Sequence, residues 1–147
     1  MSNADRVDVT EAKRLIDEEG YRYLDVRSVP EWSSGHPEGA ANVPLLHAAA
    51  GGMKPNPDFL KVAESAFAKD DKLVVGCAAG KRSARAVQML NDAGFTNVVD
   101  MEPGFGGIKD AFGQVKKPGW QAAGLPVATE TPGGSWAELA SAAGVAT

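Results

Sequence analysis

The amino-acid sequence predicts an α/β fold, with a mostly parallel central sheet and helices on both of its faces. Three observations lead there. Short runs rich in aliphatic and aromatic residues alternate along the chain with longer segments of helical periodicity. Strands separated by helices call for right-handed crossovers, which place helices over both faces of a parallel sheet. The length of 147 residues fits one compact domain with an apolar core of its own.

Taken in order, the elements read as follows. Thr10 is placed to cap a helix that carries Leu15 and Ile16 and stops near Gly20. Residues 21–26 form a short strand, and residues 41–45 a second. A loop rich in Ala, Gly and Pro runs over 48–55. Asn56-Pro57 then starts a helix, because proline early in a helix gives up a hydrogen that had no partner there. Phe59, Leu60, Ala63 and Phe67 lie on one side of it. Leu73-Val74-Val75 marks a buried strand over 72–76. Residues 83–93 follow as a helix with Val87, Met89 and Leu90 apolar and Gly94 at its end. Residues 97–101 form a further strand.

From Ala128 the chain changes character. Thr-Glu-Thr-Pro-Gly-Gly reads as a linker and 136–143 as a short amphipathic helix. The expected organisation is a domain over 1–127, then a linker with a short helix or flexible tail over 128–147. No internal repeat appears at a solenoid period.

Composition narrows the function. The formal net charge is −4 with no long basic run, which argues against nucleic acid as a partner. No apolar stretch approaches the roughly 20 residues that span a bilayer, so no membrane role is expected. A basic-then-apolar secretory start is lacking, and the expected location is cytoplasmic. One cysteine excludes an internal disulfide and a zinc site built of several thiolates.

Chemistry concentrates at Cys77-Ala78-Ala79-Gly80-Lys81-Arg82-Ser83, between a buried strand and the next helix. Ligand sites in open α/β sheets favour the carboxyl ends of strands. A thiolate nucleophile needs positive charge and converging backbone N–H groups. Ala78, Ala79 and Gly80 are small enough for the loop to curl its amides inward as an anion nest. Lys81 and Arg82 stand at a helix start, where cations oppose the macrodipole by about 0.3–1 kcal/mol each. A bound anion offsets that cost. Arg82 suits an oxyanion such as a sulfonate, and Lys81 favours the thiolate of Cys77. A lone cysteine after such a strand is, by itself, an inert buried residue. The Gly-Lys-Arg-Ser continuation argues otherwise, because an inert thiol does not require a cationic helix start. This reading needs a thiol that is reachable and faces Lys81 and Arg82.

Cys-x-x-Gly-x-Arg-Ser resembles the active-site loop of single-domain rhodanese-like sulfurtransferases. Over about residues 7–127, other segments match that family in order: Leu24-Asp25-Val26-Arg27, Glu31-Trp32 through Gly35-His36, Gly39-Ala40, Asn42-Val43-Pro44, Gly94-Phe95 and Gly124-Leu125-Pro126-Val127. The resemblance implies a rhodanese fold with the cysteine loop at the carboxyl edge of the sheet. It also implies covalent transfer in two steps. Cys77 takes the sulfane sulfur of a donor such as thiosulfate or a persulfide, and an acceptor then removes it. Cyanide or a thiol such as glutathione or thioredoxin would be the acceptor, and no metal or organic cofactor is needed. Asp25, Arg27 and His36 match family positions and are read as mainly structural supports, and Trp32 as a packing residue.

Three departures stand out. Pro37 replaces a usual aliphatic residue. Ala78 and Ala79 replace larger or basic ones, leaving donor grip to Lys81, Arg82 and the backbone. The Gly-Gly to Trp spacing is stretched between Gly106-Gly107 and Trp120, as by an inserted loop at 108–119. Two rival readings remain. A persulfide carrier or sensor that docks to a partner protein would use the same loop without being an independent enzyme. Phosphatases and arsenate reductases of this fold have a loop one residue longer, so the four residues between Cys77 and Arg82 argue against them.

Overall fold

The computed structural model describes residues 5–145; the extreme ends of the expected domain and tail, 1–4 and 146–147, lie outside them. The chain opens with strand β1 (Asp5–Val7) and helix α1 (Val9–Glu18). Asp8, not Thr10, caps α1, its carboxylate accepting the Glu11 N–H at 2.8 Å. Strand β2 (Arg22–Asp25) leads into helix α2 (Val29–Ser34), where Glu31 accepts from both the backbone N–H and the hydroxyl of Ser28.

Two short strands, β3 (His36–Pro37) and β4 (Ala41–Asn42), precede a hairpin of β5 (Leu46–Ala49) and β6 (Gly52–Pro55). The expected strand over 41–45 is thus shortened to its first two residues, and much of the expected loop is paired as this hairpin. Helix α3 (Phe59–Ala66), strand β7 (Lys72–Gly76), helix α4 (Lys81–Asp92) and strand β8 (Asn97–Met101) follow. A second hairpin, β9 (Ile108–Lys109) with β10 (Val115–Lys117), occupies the stretched segment. Strand β11 (Val127–Ala128) pairs with β3, and helix α5 (Trp136–Ala142) ends the described chain.

The main sheet has the order β1-β8-β7-β2-β4, and every neighbouring pair in it is parallel. Alternation along its strands splits the core in two. Leu24, Leu73, Val75 and Val98 face one side, where α3, α4 and α5 supply Val62, Ala86, Leu90 and Trp136. Tyr23, Val74, Val99 and Met101 face the other, against Val9, Ala12 and Leu15 of α1 and against Trp120. A parallel sheet needs both faces covered, and these helices cover them.

The segment after Ala128 packs onto the body of the fold. Gly134 accepts the Asn42 N–H at 2.7 Å, and Trp136 is buried in the first cluster with its ring against His47. Ser135 caps α5 through the Glu138 N–H at 3.2 Å. This helix therefore contributes to the core on the same face as α3 and α4.

Candidate functional site

β7 ends at Gly76, and the next four residues carry the chain over the carboxyl edge of the sheet into α4. Gly80 makes this turn possible. Its φ is +92°, and a Cβ there would stand 2.3 Å from the Glu102 carbonyl oxygen, so only glycine fits. That conformation aims the Gly80 N–H at the sulfur of Cys77, 3.1 Å away. The loop is held from behind by the segment after β8. Phe105 N–H donates to the Cys77 carbonyl at 2.7 Å, and Gly106 N–H to the Ala78 carbonyl at 2.9 Å. Gly104 allows this approach, because a Cβ there would lie 2.5 Å from the Cys77 oxygen. With these two carbonyls engaged behind the loop, the Gly80 amide is left for the sulfur.

The thiol itself is covered. Cys77 is 1% exposed, and its sulfur also lies 3.5 Å from the Ser83 hydroxyl, which in turn approaches the Gly80 carbonyl at 3.3 Å. The open, reachable thiol that the sequence reading required is therefore not what the fold presents. Ala79 and Lys81 are exposed, Ala78 and Arg82 are half-buried, and Gly80 and Ser83 are buried.

Arg82 is engaged elsewhere. Its guanidinium forms a two-pronged bridge to Glu31 at 2.7 and 3.0 Å, tying the start of α4 to the start of α2. Partial burial alone would raise the Glu31 carboxyl, but the hydrogen bonds from Arg82 and Ser28 and the Arg82 charge outweigh it. The Glu31 pKa is lowered to about 2. The fork expected to grip an oxyanion thus already holds a carboxylate of this chain.

The three supporting residues lie along the neighbouring elements. Asp25 pairs in register with Gly76, and its carboxylate accepts from the Arg27 side chain at 2.7 Å and from the Arg27 backbone at 2.9 Å. Arg27 also donates to the Gly35 carbonyl, and its guanidinium lies 4.4 Å from the centre of the Phe105 ring. This buried pair braces β2, the turn at Gly35 and the segment behind the cysteine loop. His36 is fully buried and stacked on Trp32 at 4.0 Å. Its Nδ1 must carry the hydrogen, since its partner at 2.8 Å is the Trp32 carbonyl; Nε2 then accepts from the Thr131 hydroxyl at 2.8 Å. Both ring nitrogens are thus hydrogen-bonded within the fold.

Three residues to which the sequence reading gave no role complete the surroundings: Glu31, Phe105 and Asp100. Asp100 is 1% exposed at the end of β8 and binds Arg6 at 2.9 Å. Burial lifts its carboxyl above the ordinary range, against the opposing pull of the Ser83 hydroxyl and of Arg6. Its Oδ1 has no hydrogen-bond partner among the described residues. The sequence signal was available: an acid inside the otherwise apolar run Val-Val-Asp-Met. Among the described residues, no group of three or more His, Cys, Asp or Glu is arranged to hold a metal, and no helix is long and apolar enough to cross a membrane.

Comparison with known proteins agrees with this architecture. The Rhodanese-like domain family matches residues 8–111. Thiosulfate sulfurtransferase 16, chloroplastic, of Arabidopsis thaliana is 49% identical over 86 residues, covering 58% of this chain and 72% of that protein. Senescence-associated protein DIN1 of Raphanus sativus is 44% identical over 92 residues, covering 63% of this chain but only 50% of its own length. Protein HIGH ARSENIC CONTENT 1, mitochondrial, of Arabidopsis thaliana is 37% identical over 118 residues, covering 80% of this chain and 69% of its own. Among solved structures, Rv0390 from M. tuberculosis superposes with a TM-score of 0.72 at 27% identity, over 88% of this chain and 100% of that one. A parallel sheet of this order, a cysteine loop at its carboxyl edge and the match over 8–111 place the chain in the rhodanese-like domain family.

Proposed function

We propose that this chain is a persulfide carrier, which holds one sulfane sulfur on Cys77 and passes it to a docked partner protein, with only slow turnover of thiosulfate. The observation that carries this reading is the state of the loop. The sulfur is covered and rests on the Gly80 amide, while Arg82 is bound to Glu31. The Gly80 N–H points at the sulfur and offers it a hydrogen bond. Burial shields the sulfur from oxidants and stray thiols. A small oxyanion donor, by contrast, meets an arginine that is already engaged.

The chemistry runs in two balanced displacements. The Cys77 thiolate attacks the outer sulfur of a persulfide donor, a new S–S bond forms, and the donor leaves as a thiolate. A partner thiolate then attacks the outer sulfur on Cys77, and Cys77 returns to the thiolate form.

An independent thiosulfate sulfurtransferase is the second reading, and the name of the 49%-identical relative favours it. Steady-state and single-round kinetics separate the two. Carriage predicts stoichiometric loading from glutathione persulfide, discharge to reduced thioredoxin, and thiosulfate:cyanide turnover slower than that discharge. Thiosulfate:cyanide turnover faster than the discharge would replace the carrier with the enzyme. Arsenate with glutathione is a further arm, given the name of the Arabidopsis relative; the short loop predicts no reduction.

A further inference from the structure

The hairpin of β9 and β10 differs from the rest of the molecule in charge and in exposure. Residues 108–119 carry Lys109, Lys116 and Lys117 against one acid, Asp110, in a chain whose formal net charge is −4. Lys117 pairs with Glu102, whereas Lys109 and Lys116 make no ion pair with any described residue. Phe112, at the tip, is 90% exposed, and Val115 of β10 is exposed as well. The tip is closed: the Asp110 carboxylate accepts the Phe112 N–H at 2.8 Å and the Gln114 N–H at 3.0 Å. Both ends of the hairpin are fixed beside the cysteine loop. Before it, Phe105 and Gly106 donate to the Cys77 and Ala78 carbonyls; after it, the Trp120 N–H donates to the Gly104 carbonyl at 3.0 Å, and the Trp120 ring is buried. At its base the two arms meet backbone to backbone, so that a Cβ on Gly119 would lie 2.4 Å from the Gly107 nitrogen.

We propose that this hairpin is a docking element for an acidic protein, with Phe112 entering an apolar pocket on that partner and Lys109 and Lys116 meeting carboxylates around it. Charge complementarity selects the partner. The chain as a whole is acidic, so an acidic partner is repelled by most of it and drawn to the hairpin, which fixes its orientation. An aromatic anchor beside cations suits an interface in which the buried centre supplies affinity and the charged rim steers approach. Filling a pocket with Phe112 would recover about 1.5–3 kcal/mol that its exposure now forgoes. An anionic membrane fits less well, because one aromatic side chain offers little apolar area to insert and the acidic remainder of the chain opposes approach. Resting on the carrier reading, the docked protein is the one that supplies the acceptor thiolate. The segment bearing the hairpin is bonded to the backbone of Cys77 and Ala78, so a partner held there is brought to the edge of the sheet where the sulfur lies.

Two measurements separate docking from transfer. The first uses the full chain carrying Cys77→Ser, so that it does not depend on persulfide chemistry, and reads its association with reduced thioredoxin, an acidic protein, by surface plasmon resonance at low and high salt. Lys109→Glu together with Lys116→Glu is expected to slow association about tenfold and to flatten its salt dependence. Phe112→Ser is expected instead to speed dissociation about tenfold. Circular dichroism verifies the fold of each variant. No binding, or binding indifferent to both changes, overturns the docking role. Vesicles of phosphatidylglycerol and phosphatidylcholine are expected not to bind; sedimentation with them that Phe112→Ser abolishes would assign the hairpin to a membrane and overturn the protein partner. The second compares discharge of the loaded chain, which retains Cys77, to reduced thioredoxin and to dithiothreitol. The hairpin variants are expected to slow discharge to thioredoxin about tenfold and to leave discharge to dithiothreitol unchanged. Equal slowing with both acceptors would make the hairpin a support of the loop and overturn docking. Unchanged discharge to thioredoxin in variants that bind it weakly would overturn the acceptor role. Failure to load at all would strike the carrier reading instead, and the first measurement alone would then decide the hairpin.

Discussion

Glu31 has two roles that meet in one carboxylate. It caps α2 through Ser28, and it occupies the guanidinium of Arg82, the residue best shaped for a sulfonate. Glu31→Gln keeps most of the capping geometry and removes the charge. This substitution is expected to release Arg82 and raise the rate of thiosulfate loading several-fold, at a stability cost of about 1 kcal/mol. Stopped-flow loading and urea denaturation check the two effects; unchanged loading would mean that Arg82 does not limit donor binding. At Gly80 the demand is conformational. Gly80→Ala sets a Cβ against the Glu102 carbonyl at a positive φ, so it is expected to cost more than about 2 kcal/mol. The persulfide should also discharge faster as its amide partner moves, which intact mass over time would record. The residues of the loop were legible in the sequence because a nucleophile, small residues and cations occur together. What they touch was not legible. The Arg82–Glu31 bridge joins positions 51 apart in sequence, and nothing in the local pattern announces which acid a given arginine will meet.

Among the elements, the strands with dense β-branched content were read correctly, β7 and β8 to the residue, because a buried parallel strand is a continuous apolar run. β1 was missed: Asp5, Arg6 and Val7 have no such run, and they pair at the sheet edge through parallel register with β8. The β5–β6 hairpin was read as loop because its residues are small and mostly exposed, so neither alternation nor burial marks it. α4 begins two residues earlier than expected, since the positive φ of Gly80 lets the helix start at Lys81. At the C-terminal end, the flexible-tail alternative undervalued Trp136. A tryptophan that is 8% exposed and packed among Leu and Val side chains fixes its helix to the body of the fold. Trp136→Ala is therefore expected to cost about 3 kcal/mol, read from the urea midpoint. A change within a few tenths would mean that α5 is dispensable.

For the whole molecule, the Glu31 bridge predicts a pH dependence with a defined sign. The folded pKa of about 2 lies below the ordinary 4.5, so the folded chain binds the proton less well than the unfolded chain. The resulting stabilisation is fully present above about 4.5 and is lost as pH falls toward about 2. Denaturation midpoints of wild type and Glu31→Gln should therefore converge across that interval, and a constant gap would deny the bridge. The fold class was legible at this scale because alternating helices and strands permit few topologies. The burial of Cys77 was not, since a nucleophilic loop and an inert core cysteine both follow a strand of the Leu-Val-Val kind. The account depends on that covered sulfur accepting a second sulfur atom. Intact mass spectrometry after exposure to glutathione persulfide tests it most directly. The account predicts a gain of one sulfur atom per chain, reversed by a thiol reductant and lacking in Cys77→Ser. An unchanged mass in wild type, or an equal gain in the Cys77→Ser chain, would contradict it.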